Sequence, residues 1–103
     1  MIYVDDIKQY NPIHIGHGKM QSLWCHMWTD GNIEELHEFV KKIGLKTSYF
    51  QNKPNFPHYD IIPTKRDMAI KNGAQYMPLK NWLKLHEKNY HEHSKKRGPI
   101  YAS

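Results

Sequence analysis

Lys65 and Arg66 fall in the first turn of a segment whose spacing predicts a helix, and cations are unusual there. Residues 58–62 read as a short strand, Pro63-Thr64 as a cap, residues 65–72 as a helix and Gly73 as its left-handed terminus. Thr64 is the expected cap, with Asp67 three residues on to complete a capping box. A helix start exposes free N–H groups and a partial positive charge, so Lys and Arg there are mildly unfavourable unless something negative joins them. Free N–H groups, Lys and Arg together are how proteins hold phosphate. Thr64, Lys65 and Arg66 are therefore the candidate phosphate-binding residues; two solvated charges are the plainer alternative.

Five residues could act on such an anion: Asp5, His26, Asp30, His58 and Asp60. In open parallel sheets, ligands bind beyond the carboxyl ends of the strands. That rule places Asp5 and Asp6 after a first strand, Asp30 after a second, Gln51 after a third, and Asp60 with the two cations after a fourth. Asp30 is singled out because Asn32 already caps the helix that follows it. Gathered at one edge, these groups suit cleavage or transfer at a phosphate ester, with histidine as general acid or base. Alternatively, Asp5, Asp30, His26 and His58 would hold a divalent metal, although no pair shows a spacing such as H-E-x-x-H. The plainer readings are a hydrogen-bonded core role for His26, pairing of Asp60 with Arg66, and His37 covering the core edge.

The elements that must position these residues form a single small α/β domain over residues 1–88. It is expected to contain four to five short strands, mostly parallel, and about three helices. Residues 1–4 and 23–28 read as strands, the second apolar on both faces apart from His26. Residues 7–20, with a proline and two glycines, read as a loop. Asn32 is a helix cap with Glu35 as its capping-box partner; Leu36, Phe39, Val40 and Ile43 form the buried stripe, and Gly44 ends the helix. A strand is expected near residues 47–50, a loop over 51–57, and another strand over 74–77. Pro78 then opens a last helix burying Leu79, Trp82, Leu83 and His86.

Composition narrows the setting. The single cysteine, Cys25, excludes an internal disulfide and fits a reducing compartment as a buried, inert thiol. The chain opens directly on a strand, and no apolar run approaches the roughly 20 residues of a membrane span. A cytoplasmic protein without a membrane partner is expected. The net charge of +5 is uneven. Lys84, Lys88, Lys95, Lys96 and Arg97 outweigh Glu87 and Glu92, so residues 89–103 are read as a basic, frayed tail with weak attraction to nucleic acid as its functional alternative.

Two resemblances add to this reading. Tyr10-Asn11-Pro12-Ile13-His14-Ile15-Gly16-His17 resembles the nucleotidylyltransferase signature, in which two histidines stabilise the triphosphate, and Ile62 to Arg66 loosely echoes that family's second motif. Lys8 replaces the first glycine of the fuller signature, and Gly18 follows where a long helix should begin. Over residues 1–83 the chain resembles a family of small uncharacterised proteins of bacteriophages and bacteria. The residues are Tyr3-Val4-Asp5-Asp6, Gly18, Leu23 to Met27, Asp30, Glu35-Leu36-His37, Ile43-Gly44, Tyr49-Phe50-Gln51, His58-Tyr59-Asp60, Lys65-Arg66, Ala69 and Gly73-Ala74. That resemblance implies a phage or bacterial cytoplasmic protein and brings no activity. The leading expectation is binding, with hydrolysis or transfer, of a phosphate-bearing ligand such as a nucleotide or a nucleic-acid end. The alternatives are a non-catalytic phage protein that inhibits a host factor and nucleotidyl transfer through His14 and His17.

Overall fold

One long strand, β3 (Lys19–Thr29), organises the molecule. The computed structural model describes residues 1–85. Two strands share one edge of β3: β1 (Ile2–Val4) runs antiparallel to its second half, and β2 (Lys8–Gly16) to its first. On the opposite edge lies β4 (Tyr59–Ile61), also antiparallel, with His26 directly facing Asp60. Only β5 (Gln75–Tyr76) is parallel, beside β1. The five-stranded sheet is thus mixed, which corrects the expectation of a mostly parallel one.

The reason for the difference lies in residues 7–20, which form a β-hairpin and not a loop. His17 and Gly18 have φ of 54° and 72°, the pair of positive values that a two-residue hairpin turn needs. Pro12 donates no hydrogen bond, but an edge strand tolerates that, and the register shifts between Gln9 and Ile13. Tyr10 stacks on Trp24 at 4.2 Å across the base of this hairpin. A second correction concerns residues 47–50. They form a single 3-10 turn, Thr47–Tyr49, and pairing resumes only at the bridge between Gln51 and His58.

The helices follow their expected signals more closely. In α1 (Ile33–Lys42), Asn32 accepts from the Glu34 N–H at 2.9 Å, and Leu36, Val40 and Ile43 are fully buried. The Glu35 carboxylate bonds Thr29 and the Met1 amino group in place of the cap. α1 and α2 (Pro63–Lys71) both end on left-handed glycines, Gly44 and Gly73. The N–H of the residue after each glycine then reaches back to close the last turn: Leu45 to Val40 at 2.8 Å, Ala74 to Ala69 at 3.0 Å. α2 starts earlier than expected, with Ile62 at the cap position, Pro63 as first residue and no side-chain capping bond. The capping box of Thr64 and Asp67 is therefore not formed. Pro63 suffices, because its fixed φ already suits a helix start.

Side-chain alternation gives the sheet two different faces. Val4, Cys25, Met27, Tyr59 and Ile61 are buried with Leu36, Val40, Ile43 and Ala69 in one core, where truncating a residue such as Leu36 costs about 2–5 kcal/mol. The intervening residues Tyr3, Asp5, Trp24, His26, Trp28 and Asp60 face the other way. Part of that second face is covered by Phe56, and part by Trp82 of the helical residues 79–85. Trp28 lies 5.3 Å and 5.7 Å from those two rings. Leu79, Trp82 and Leu83 are half-buried, as expected; His86 and the basic tail lie outside the described residues.

Candidate metal centre

Three strands bring Asp5, His26 and Asp60 into one row, and His58 joins them two residues before Asp60 on the same strand face. Asp5 continues β1 and stays in register with β3, its N–H donating to the His26 carbonyl at 3.2 Å. Its carboxylate returns the contact twice, accepting from the His26 backbone N–H at 2.6 Å and lying 2.8 Å from His26 Nδ1. A carboxylate can only accept, so Nδ1 carries a proton, and in the neutral ring Nε2 is the acceptor. His58 is set the same way: Nδ1 lies 2.7 Å from the Phe56 carbonyl, which leaves Nε2 as an acceptor.

The two imidazoles and the Asp60 carboxylate form one cluster. One donor atom from each of His26, His58 and Asp60 can be chosen so that all lie within 4.8 Å of one another. Asp60 Oδ1 is buried without a hydrogen bond, although His58 Nε2 approaches it to 3.1 Å. With Nδ1 of His58 already protonated, that approach brings two acceptors together. Either a second proton on His58 or a cation must sit between them. A cation fits the full geometry: two imidazoles oriented through their far nitrogens by a carboxylate and a backbone carbonyl, plus one carboxylate ligand. Metal–ligand bonds of about 2.0–2.2 Å set tetrahedral donors roughly 3.4 Å apart. The His58–Asp60 pair is already near that spacing at 3.1 Å, while the widest pair, within 4.8 Å, must close by about an ångström. The donor set of two histidines and one carboxylate suits zinc, manganese or iron.

Aromatic rings wall this centre. Tyr10, Trp24 and Phe56 lie 5.5, 5.6 and 5.7 Å from the His26 ring, and Phe56 stacks on His58 at 4.8 Å. Partial desolvation, with the nearby negative charge of Asp5, raises the Tyr10 hydroxyl above its ordinary range. Asp60 also borders a cleft of about 600 Å³ between the hairpin and the body of the domain. His14, His17, Ile62 and Lys65 line the same cleft.

The remaining expected residues are placed as follows. The Lys65 ammonium donates to the Ile43 carbonyl at 3.0 Å and reaches Gly44 at 3.4 Å, so it neutralises the C-terminal end of α1. An ammonium has three N–H donors, and one remains for the cleft. Arg66 Nε donates to the Asp5 carbonyl at 2.8 Å, and its guanidinium lies over Tyr76, outside the cleft lining. Thr64 is exposed in the first turn of α2 and makes no cap. Asp30 is not gathered with the others. It lies four residues beyond His26, about 13 Å along the strand, accepting from Tyr3 and pairing with the Met1 amino group. Those two partners hold its carboxyl below the usual range against the opposing pull of desolvation. His14 and His17 stand on the hairpin and its turn, not at a helix start. His37 bonds the buried Tyr59 hydroxyl at 2.8 Å.

The aromatic wall and the Phe56 carbonyl were not anticipated, whereas the alternate spacing of His58 and Asp60 on one strand was a readable signal. No curated protein and no solved structure matches the chain. A family model described as a protein of unknown function (DUF4031) matches residues 2–89, a span that holds the whole centre, and the chain belongs to that family.

Proposed function

We propose that this chain is a metal-dependent phosphoesterase built on His26, His58 and Asp60, and that it binds a phosphate-bearing ligand, a nucleotide or a nucleic-acid end, in the cleft that Asp60 borders. One observation carries the reading: the buried Asp60 oxygen has no hydrogen-bond donor among the described residues and lies 3.1 Å from His58 Nε2, in a cluster completed by His26. His26, His58 and Asp60 would hold a divalent cation, which would supply Lewis acidity toward a phosphate oxygen and make water a better nucleophile near neutral pH. Water adds to phosphorus, the bond to the leaving oxygen breaks, and the proton lost by the water ends on the leaving alcohol. Lys65 and the uncapped start of α2 border the cleft and favour an anion there. Arg66 acts at a distance by holding the Asp5 backbone, and Asp5 orients His26. The setting is the cytoplasm of a bacterium or of a phage-infected host, on the strength of the family resemblance and the lone buried thiol.

The test is hydrolysis of bis(p-nitrophenyl) phosphate with Mn²⁺, Zn²⁺ or Mg²⁺ added in turn. Turnover that disappears in His58→Ala and Asp60→Asn supports the reading. Absence of turnover with all three metals contradicts it. A second reading, a non-catalytic partner-binding protein, draws on Ile15, Met20 and Leu23, which stand exposed on the hairpin.

A further inference from the structure

The hairpin formed by β2 and the first half of β3 has no role in the core. From its tip to Trp24 it is a two-stranded ribbon with no third strand among the described residues, and isolated ribbons of this kind gain little stability on their own. Its nine-residue strand reaches about 30 Å, a large part of the 45 Å length of the molecule. Charge along it is one-sided. Between Asp6 and Asp30 there is no acidic residue, while Lys8, His14, His17 and Lys19 are all exposed. His14 and His17 also line the cleft that Asp60 borders, and Tyr10 and Trp24 at the ribbon's base touch His26. The ribbon therefore leads from a tip carrying Lys19, His14 and His17, past Lys8 at its base, to the candidate centre.

We infer that this hairpin is a nucleic-acid-binding arm and that the ligand of the centre is a polynucleotide, held by its phosphodiester backbone, and not a free nucleotide. The inference rests on the phosphoesterase reading for the role of the centre, while the binding it describes stands alone. A two-stranded ribbon is narrow enough for the major groove of a duplex. Two exposed lysines, Lys8 at the base and Lys19 at the tip, with no acidic residue between Asp6 and Asp30, favour separated phosphates along one strand, and a mononucleotide would leave most of the arm unused. Salt-dependent binding follows, with affinity falling as counterions are no longer released.

The test is fluorescence anisotropy of a labelled 20-base-pair duplex and of a 20-nucleotide single strand, in EDTA and at several salt concentrations. It compares the wild-type chain with Lys8→Glu/Lys19→Glu. Salt-dependent binding of either probe by the wild type, weakened at least tenfold in the variant with a shallower salt slope, supports the arm. Unlabelled mononucleotide should not displace the probe at comparable concentration. Equal binding by the variant overturns the inference, as does absence of binding by the wild type at low salt, which leaves the exposed apolar residues of the arm to a protein partner. Turnover of bis(p-nitrophenyl) phosphate reads the metal centre separately, and should survive the two arm substitutions, so the two proposals can fail independently.

Discussion

Asp5 holds His26 at two points, accepting the backbone N–H at 2.6 Å through Oδ1 and facing Nδ1 at 2.8 Å through Oδ2. The side chain is almost fully buried, at 4% exposure, so the pairing works in a poorly screened environment. Arg66 fixes the Asp5 carbonyl in turn, which makes a chain of three residues ending on the His26 lone pair.

Asp5→Asn tests that chain. The amide keeps one acceptor for the backbone but cannot fix the same imidazole tautomer. Zinc affinity, measured by competition with a chromophoric chelator, should fall about 10–100-fold. Unchanged affinity would show that Asp5 is only a structural acceptor.

Lys65→Met separates two uses of one ammonium. Loss of the contacts to Ile43 and Gly44 should lower stability by about 0.5–1 kcal/mol in denaturant unfolding. If the spare N–H meets a phosphate, inorganic phosphate should also protect the wild type against unfolding more than it protects the variant. Equal protection would confine Lys65 to α1.

Tyr59→Phe removes the hydroxyl that bonds His37 Nδ1 inside the core. A loss of about 1–2 kcal/mol is expected by denaturant titration, with metal uptake unchanged because Tyr59 faces away from the centre. A coincident loss of metal would contradict the separation of the two sheet faces.

Cys25 gives a prediction in pH. Burial, reinforced by the negative charge of Asp5, pushes its thiol well above the ordinary 9.0. The native state therefore keeps the proton where the unfolded state gives it up. This contribution to stability is complete below pH 9 and shrinks as pH rises from there, by up to about 1.4 kcal/mol per pH unit. Cys25→Ala should be less stable at pH 7, from the cavity, yet lose less than the wild type between pH 8 and about pH 10.5. Parallel losses would contradict burial of the thiol.

Local signals carried much of the fold. The Asn32 cap, the Leu36-Val40-Ile43 stripe and the two glycine termini depend only on neighbouring residues, and each formed where it was expected. Residues 7–20 did not, because Pro12, Gly16 and Gly18 punctuate a loop and a hairpin alike; only the pairing partner decides. A loop over 7–20 implies a mostly parallel sheet with its site at the strand ends, Asp30 included; the hairpin makes the sheet mixed. In an antiparallel arrangement, functional groups meet across mid-strand registers, so His26 and Asp60 face each other while Asp30 lies a full strand segment away. The orienting role of Asp5 and the aromatic wall were equally invisible, since both arise from contacts between distant segments.

The most direct measurement of the central claim is metal stoichiometry by equilibrium dialysis against Zn²⁺, followed by elemental analysis. It compares the wild type with the combined His26→Ala/His58→Ala/Asp60→Asn variant, with circular dichroism to verify the fold. One tightly bound zinc per chain in the wild type and none in the variant is the predicted result. A wild type that takes up no zinc, or a folded variant that retains one per chain, would contradict a metal centre built on the unpaired oxygen of Asp60.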